Sequence, residues 1–478
     1  MSHKNLNHTA MLITYPDSLG NNLQDLHKVL QGPFRGAFGG LHILPFFPSS
    51  GDRGFSPITY REVDPRFGTW DDIDAIGQDY YLMYDYMINH ISVQSPEYQD
   101  FLHNKDASRY RDFFIRFKDF WNGGEPTKEE DEAIYRRRIG KGTYITAHFD
   151  DGTEEKVWCT VSDEQVDINC QRSEVAKRFL KDNLAFLSAH GCSLVRLDAF
   201  AYATKKAGTN CFFVEPEVWD LMRECHDVVK PLNVELLPEI HENYFTQMKL
   251  SERGYWVYDF QLPMLLLNAI FTGKTMYLKN WLRICSPRQF TTLDTHDGIG
   301  VVDARYLLPD YELQDTKMHV YEMNPGTAKI FSELRGPLNR TFNTYQINCS
   351  YFDACGADEK AYEMARAIQI FAPGIPQVYY QGLLAGTNDF ALFEKTKQPR
   401  DVNRRFYSLS DIEKEVQRPV VRAVLELLRL RNTHPAFSGT YHLLASSDHE
   451  VTIRWENGLS WAELHADFSD HSYSVTHT

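Results

Sequence analysis

Ser193-Leu194-Val195-Arg196-Leu197-Asp198 is a short apolar run that ends on a carboxylate. Short apolar runs followed by helical sequence are typical of buried parallel strands. Six more such runs occur, at 11–15, 41–47, 81–89, 234–239, 290–294 and 375–380. Helical patterns at 174–190 and 217–230 complete βα units. About eight such units predict an α/β chain folded as a (β/α)8 TIM barrel, with polar strand ends forming the active site.

Two long interruptions and a β-rich end modify this barrel. The βα rhythm stops over 91–171 and again over 299–360, and loops this long are usually lids or inserted subdomains. After about Gly439, alternating stretches such as 451–455 predict a small antiparallel β module. The predicted domains are barrel domain A in three parts (1–90, 172–298 and 361–438), inserted domain B (91–171), inserted domain B' (299–360) and a C-terminal β domain (439–478).

Composition excludes several classes of partner. Lys and Arg number 50 and Asp and Glu 65, a net charge of −15. A net acidic chain without a basic block argues against nucleic acid or anionic lipid. The eight cysteines have no zinc spacing, and neither a signal peptide nor a run of 18 apolar residues is apparent. We expect a cytoplasmic monomer or homodimer, with no nucleic-acid or membrane partner.

Three carboxylates follow apolar runs: Asp198, Glu239 and Asp297. Cleaving a glycosidic bond with retention needs two carboxyl groups about 5 Å apart, one as nucleophile and the other as acid and base. A single strand-end acid is about as often a helix N-cap. Three in this order favour catalysis.

The neighbours of these acids carry a family resemblance. Asp85-Tyr86-Met87-Ile88-Asn89-His90, Arg196-Leu197-Asp198, Glu239 and His296-Asp297 resemble the four signatures of the α-amylase clan, glycoside hydrolase family 13. Gln165-Val166-Asp167-Ile168-Asn169 resembles its additional signature near the end of domain B. Five motifs in order over more than 200 residues make a chance match very rare.

The resemblance implies a role for each matched residue. Asp198 is the expected nucleophile, Glu239 the acid/base with a raised pKa, and Asp297 the third carboxylate, which stabilises the transition state. Arg196 is expected to orient Asp198 and keep it ionised. His90 and His296 are expected to bind sugar hydroxyls. Aspartates bind Ca²⁺ in many amylases, but the sequence has no dense oxygen cluster, so we expect no metal and no cofactor.

Within the clan, the chain is similar to the sucrose phosphorylase subfamily over nearly its whole length. The strings that carry this similarity are 40–48, 52–55, 207–212, 294–300, 373–380 and 400–404. By resemblance, Asp52, Phe55 and Arg404 close the pocket around the donor glucose, and Tyr202 forms an aromatic wall.

Two segments resemble the acceptor loops of that subfamily, Ile134-Tyr135-Arg136-Arg137-Arg138 and Asn343-Thr344-Tyr345-Gln346. The resemblance implies that Arg138 and Tyr345 contact phosphate with His241 nearby, and that Tyr135 and Gln346 contact the acceptor sugar. A guanidinium matches phosphate geometry. Without this context, an arginine triplet is usually a solvated charge run.

The acceptor loops depart from the subfamily pattern. Arg137 stands where sucrose phosphorylases typically have Pro, and relatives that act on sucrose 6'-phosphate carry Arg there. Those relatives also have a His in the second loop, which is missing here, and Asn343 and Arg405 replace a typical Asp and His. The C-terminal module of about 40 residues is also shorter than usual.

We expect a retaining phosphorylase that converts sucrose and inorganic phosphate to α-glucose 1-phosphate and fructose. Arg137 is a candidate ligand for a phosphorylated leaving group, so sucrose 6'-phosphate is an alternative substrate, as is a glucosylglycerol-type compound. A sucrose hydrolase or transglucosidase is a further alternative. A non-catalytic carbohydrate-binding relative is disfavoured, since such a module has no use for three desolvated carboxylates.

Overall fold

A computed structural model describes residues 4–138, 140–336, 338 and 344–478. Its strands are, in chain order, β1 Met11–Thr14, β2 Gly40–Ile43, β3 Tyr81–Met87, β4 His90–Ser92, β5 Tyr144–His148, β6 Glu154–Trp158, β7 Gln165–Asp167, β8 Cys192–Asp198, β9 Glu235–Pro238, β10 Val257–Asp259, β11 Gln289–Thr291, β12 Ile299–Gly300, β13 Gln346–Ile347, β14 Ile375–Tyr379, β15 Thr440–Leu444, β16 Glu450–Asn457, β17 Ser460–Asp467 and β18 Ser472–His477.

The α-helices are α1 Leu23–Gln31, α2 Trp70–Gly77, α3 Pro96–Asn104, α4 Phe117–Phe120, α5 Lys128–Ala133, α6 Glu174–Ala189, α7 Glu217–Val229, α8 Tyr244–Glu252, α9 Leu262–Thr272, α10 Met276–Ile284, α11 Asp310–Met323, α12 Pro325–Arg335, α13 Tyr351–Ala354, α14 Glu359–Phe371, α15 Tyr380–Leu383, α16 Phe390–Thr396, α17 Leu409–Glu415 and α18 Pro419–Thr433. Short 3-10 helices include Phe200–Tyr202 and Val302–Ala304. Within the described parts of the chain, no helix is long and apolar enough to cross a membrane.

The chain divides by its internal contacts into two compact units, of which the first comprises Met1–Asn5 and Ile43–Ile240. In this unit, β3, β8 and β9 form a parallel ladder, with Met87 opposite Asp198 and Leu197 opposite Pro238. Parallel strands end at the same edge of a sheet, so Asp198 and Glu239 emerge together at the carboxyl ends of β8 and β9.

The region between β3 and α6 has its own small core in the first unit. β4 pairs antiparallel with β7, and β5 pairs antiparallel with β6. One cluster of buried apolar side chains there comprises Ile115, Phe117, Trp121, Ile134 and Trp158, together with Cys211 from the chain after β8. This core supports the segment that carries Tyr135 and the three arginines.

The second unit comprises Leu6–His42 and His241–Thr478. It contributes five parallel strands in the order β10-β11-β14-β1-β2, so the two units together supply eight, the strand number of a (β/α)8 barrel. β12 and β13 form a short antiparallel pair. The C-terminal strands β15 to β18 form an antiparallel sheet in sequence order, as the alternating sequence predicts.

Seven of the eight parallel strands correspond to the apolar runs seen in the sequence. The eighth, β10, has only three residues and follows Gly254-Tyr255-Trp256, so it lacks a run long enough to recognise. The helices expected at 174–190 and 217–230 are α6 and α7, each ending one residue early. The domain limits expected from the sequence stay predictions.

Candidate active site

Asp198, the predicted nucleophile, is the last residue of β8, and a tight turn follows it. Ala199 has φ 53°, a left-handed conformation that is uncommon for a residue other than glycine. The backbone N–H of Ala199 donates to Glu239 Oε2 at 2.9 Å. Strained residues of this kind occur preferentially at functional sites. The turn therefore brings the chain beside Asp198 into contact with the predicted acid/base.

Arg196 links these carboxylates from the interior of the ladder. Its Nη1 donates to Asp198 Oδ1 at 3.0 Å and to Asp85, and its Nη2 lies 3.7 Å from Glu239 Oε1. The Arg196 side chain is 3 % exposed and that of Asp85 is fully buried. Charge-assisted hydrogen bonds in such surroundings are strong and directional. Arg196 thus fixes Asp198 and approaches Glu239, which places three predicted site residues in one network.

His90 lies at the start of β4, and its ring contacts Phe55, another predicted site residue. Its Nε2 is 3.0 Å from the Phe55 carbonyl oxygen, and its Nδ1 is 3.4 Å from Asn89 Nδ2. Burial lowers the pKa of His90 from its ordinary value of 6.5, which favours a neutral ring at pH 7. The Phe55 ring lies 5.8 Å from the Arg196 guanidinium carbon. Asp52 lies three residues before Phe55 in the same turn, and its own φ is 36°.

A buried lysine that the sequence analysis did not single out braces this half of the site. Lys205 Nζ lies 2.8 Å from Asn89 Oδ1, 2.6 Å from the Tyr202 carbonyl oxygen and 2.8 Å from Asp167 Oδ2. Asp167 is fully buried and also accepts from the Thr160 N–H at 2.9 Å. The Lys205 ammonium therefore links three segments: the residues after β3, strand β7, and the chain that follows Asp198.

Tyr202 belongs to an aromatic group that includes Tyr135. Tyr202 lies 6.2 Å from Tyr135 and 4.9 Å from Phe212, and Tyr135 lies 4.5 Å from Phe212, between ring centroids. Burial raises the pKa of the Tyr202 hydroxyl, and the Arg137 guanidinium acts in the opposite direction. Arg137 therefore lies against the predicted wall of the glucose site.

The other two arginines of the triplet have different surroundings. Arg136 pairs with Asp131, and Arg138 is buried. Arg138 Nη1 donates to the carbonyl oxygens of Gly142 at 2.9 Å and Tyr144 at 2.7 Å, while its Nη2 pairs with Asp163. The triplet is thus no solvated charge run. Phosphate binding by Arg138 stays a prediction, and it would require the guanidinium to leave some of these partners.

The second unit carries Asp297 with three basic side chains around it. Arg400 Nη1 forms an ion pair with Asp297 Oδ1 at 2.8 Å, and His296 Nε2 is 3.7 Å from the same oxygen. His241 Nε2 is 3.9 Å from Asp297 Oδ2. The Asp297 side chain is 8 % exposed. Each oxygen of this buried carboxylate therefore has a basic side chain within 4 Å.

Arg404 supports the segment that carries His296. Its Nε donates to the His296 carbonyl oxygen at 3.0 Å, and its guanidinium carbon lies 5.7 Å from the Tyr15 ring centroid. The Tyr15 and His296 rings meet edge to face at 6.2 Å. Arg404 belongs to the second unit and Asp52 to the first, so their joint binding of glucose stays a prediction.

The second acceptor loop contacts His241. Gln346 Nε2 lies 3.4 Å from His241 Nε2, and the Tyr345 ring centroid is 5.5 Å from that of His241. His241 Nδ1 lies 3.1 Å from Asp303 Oδ2. The structure therefore brings together His241, Tyr345 and Gln346, which were predicted as acceptor-site residues. Asn343 of the same loop lies outside the described residues.

Comparison with known proteins identifies the family of this chain. Residues 37–261 match the catalytic domain of the α-amylase family. A sucrose phosphorylase of Streptococcus mutans is 45% identical over 98% of this chain and 97% of its own length. The chain belongs to the sucrose phosphorylase subfamily of glycoside hydrolase family 13. The family is one of enzymes, and this member is a phosphorylase-type hexosyltransferase.

Two more relatives of this chain are named for substrates other than sucrose. A glucosylglycerol phosphorylase of Marinobacter adhaerens is 41% identical over 99% of this chain and 97% of its own. The crystal structure of a sucrose 6F-phosphate phosphorylase from Thermoanaerobacter thermosaccharolyticum matches with a TM-score of 0.93 and 39% identity, covering 100% of this chain and 97% of that one. The predicted (β/α)8 barrel is confirmed by this match.

Sequence reasoning on this subfamily member missed four residues that contact the predicted site: Ala199, Lys205, Asp303 and Arg400. Arg400 opens one of the strings that carried the family resemblance, so its position was a usable signal. Ala199 directly follows the predicted nucleophile, whereas Lys205 and Asp303 have no such neighbour, and the contacts of all three are seen only in the structure.

Proposed function

We propose that this enzyme cleaves an α-glucoside by double displacement and transfers the glucosyl group to inorganic phosphate. Asp198 attacks the anomeric carbon while Glu239 protonates the departing oxygen, which gives a covalent glucosyl-enzyme. Phosphate then attacks the same carbon, Glu239 accepts its proton, and the bond to Asp198 breaks. Two inversions give α-glucose 1-phosphate.

The observation that carries this proposal is the Arg196 network. One guanidinium contacts Asp85, Asp198 and Glu239, so a single positive charge faces three carboxyl groups. Carboxylates that share one site repel each other when all are ionised, so one of them tends to keep its proton. Asp198 has the direct 3.0 Å contact and Glu239 the longer one. This difference supports Asp198 as the ionised nucleophile and Glu239 as the protonated acid.

Asp297 is proposed as the third carboxylate, which stabilises the positive charge that develops on the sugar. Its pairing with Arg400 supports an ionised state before the substrate binds. We propose that the sugar hydroxyls bind to His90, His296, Asp52 and Arg404. Phe55 and Tyr202 are proposed to line the glucose pocket. These roles rest on the family motifs that the residues match.

A phosphorylase must also hold phosphate where water would otherwise attack. We propose that His241 and Tyr345, whose rings are in contact, bind the phosphate. Tyr135 and Gln346 then face the acceptor sugar.

Sucrose is the substrate that we propose first, in line with the sucrose phosphorylase relative at 45% identity. Sucrose 6'-phosphate is the second candidate, because Arg137 lies beside Tyr202 and offers a cation to a phosphorylated leaving group. Glucosylglycerol is the third candidate substrate. If phosphate does not bind, we expect hydrolysis or transglucosylation instead.

A panel assay tests the proposal. The purified enzyme is incubated with inorganic phosphate and, separately, sucrose, sucrose 6'-phosphate and 2-O-α-glucosylglycerol, and α-glucose 1-phosphate is measured. We expect phosphate-dependent product from at least the first. Release of free glucose at the same rate with and without phosphate would contradict the phosphorylase proposal.

A further inference from the structure

His241 is held on three sides in the second unit. Its ring stacks on Phe260 with centroids 4.1 Å apart and planes at 14°, and the Tyr345 ring meets it edge on at 5.5 Å. Asp303 Oδ2 lies 3.1 Å from Nδ1. The exposed fraction of the His241 side chain is 4 %, and that of Asp303 is 0 %. Such a ring has little freedom to rotate.

The two ring nitrogens of His241 have different tasks. A carboxylate is an acceptor, so the contact with Asp303 fixes a proton on Nδ1. Nε2 then points to the other side, towards Gln346 Nε2 at 3.4 Å and Asp297 Oδ2 at 3.9 Å. Nε2 is therefore the nitrogen presented to the acceptor loop and the third carboxylate.

Gly300 makes the contact between Asp303 and His241 possible. A Cβ atom at position 300 would overlap Asp303 Oδ2 and lie 3.6 Å from His241 Nδ1. The same segment is bonded to the acceptor loop, because Gly300 pairs with Gln346 across β12 and β13, and the Val301 N–H donates to the Tyr345 carbonyl oxygen at 3.0 Å. One short segment thus positions both His241 and the loop.

We propose that Asp303 is a positioning residue for the phosphate step. It orients the His241 ring and keeps Nδ1 protonated, and its negative charge stabilises the imidazolium form, in which Nε2 carries a second proton and donates to the incoming phosphate. This inference rests on the proposed function, in which His241 binds phosphate. The residue acts through His241 and touches neither the donor sugar nor the phosphate.

The test compares KM for phosphate with KM for the donor in Asp303→Asn, which keeps the shape of the side chain and removes its charge. We expect KM for phosphate to rise about 10- to 100-fold, the range of one charge-assisted hydrogen bond. Hydrolysis of the donor without phosphate should stay within about twofold, because that branch does not use His241 as a phosphate ligand. Retained hydrolysis also shows that the variant is folded.

Four further variants separate the possible outcomes. His241→Gln should raise KM for phosphate, and adding Asp303→Asn to it should have no further effect if Asp303 acts through His241. Gly300→Ala displaces Asp303 without changing any charge and should reproduce the Asp303→Asn effect; it is the variant to use if Asp303→Asn does not fold. Asp353→Asn, at a carboxylate that bonds the Asn388 N–H at 2.6 Å, is the matched control and should leave both KM values unchanged.

An unchanged KM for phosphate in His241→Gln would overturn the phosphate site itself. A raised value in His241→Gln together with an unchanged value in Asp303→Asn and Gly300→Ala would overturn the role of Asp303 alone. Additive effects in the double variant would also overturn it, since they would mean that Asp303 acts independently of His241.

Discussion

The backbone N–H of Ala199 donates a 2.9 Å hydrogen bond to Oε2 of Glu239. Ala199 is in the left-handed conformation directly after Asp198, so the turn that ends β8 also sets the position of the proposed acid/base. A hydrogen bond to one carboxyl oxygen leaves the other directed elsewhere, here 3.7 Å from Arg196 Nη2. The spacing of the two proposed catalytic groups is therefore controlled by backbone geometry as well as by Arg196.

Arg137→Pro tests the identity of the leaving group. We expect the wild type to accept sucrose 6'-phosphate at least detectably, because Arg137 offers a charge-assisted hydrogen bond to that phosphate. The variant should lose about 1.5–3 kcal/mol of transition-state stabilisation with sucrose 6'-phosphate and keep its kcat/KM with sucrose. Arg136→Ala, which removes an arginine that pairs with Asp131, serves as the control. A wild type that ignores sucrose 6'-phosphate, or a variant with unchanged preference, would favour plain sucrose.

Arg138→Ala separates a structural role from a phosphate role. Its guanidinium bonds Gly142, Tyr144 and Asp163, so truncation should lower the free energy of unfolding by about 1–3 kcal/mol and disturb KM for donor and phosphate together. Urea unfolding and initial-rate kinetics measure the two effects. An unchanged unfolding midpoint with a raised KM for phosphate alone would instead support the phosphate contact expected from the sequence.

Lys205→Met tests the buried lysine that contacts the chain following Asp198, the proposed nucleophile. The change leaves the fully buried Asp167 without its cation, which typically costs about 3–5 kcal/mol. The double variant Lys205→Met with Asp167→Asn should recover much of this loss, because it removes the uncompensated charge. Thermal unfolding of the two variants decides the point. Equal stability of the single and double variants would show that the buried Asp167 carboxylate costs nothing without its cation, which would contradict this prediction.

Asp259 gives the fold a dependence on pH. Burial raises the pKa of this carboxyl from 3.8 to about 7, and the Trp281 Nε1–H contact at 3.0 Å opposes the shift only in part. The unfolded chain therefore ionises first, so this residue lowers stability as pH rises from about 4 to about 7, by about 1.4 kcal/mol per pH unit. Asp259→Asn should flatten that part of the stability profile. Identical slopes in wild type and variant, by urea unfolding, would refute the assignment.

The sequence predicted the residues that lie at the ends of long apolar strands. Asp198 and Glu239 could be found in this way because β8 and β9 continue visible apolar runs. Lys205 and Asp303 could not, since each lies in a loop or short 3-10 segment and reaches the site only through tertiary contacts. The engagement of Arg138 by the Gly142 and Tyr144 carbonyl oxygens was equally hidden, because a triplet of arginines gives no sign of which one is buried.

The central claim is that Asp198 forms a covalent bond with glucose, and trapping that intermediate tests it most directly. Glu239→Gln is mixed with α-glucosyl fluoride, whose leaving group needs no proton, and the quenched protein is digested and analysed by mass spectrometry. Loss of the base should slow the second step, so we predict one glucosyl residue on the peptide that contains Asp198, and none when Asp198→Asn is added. A glucosyl group on another carboxylate, or turnover of the fluoride by the double variant at the rate of Glu239→Gln, would contradict the account.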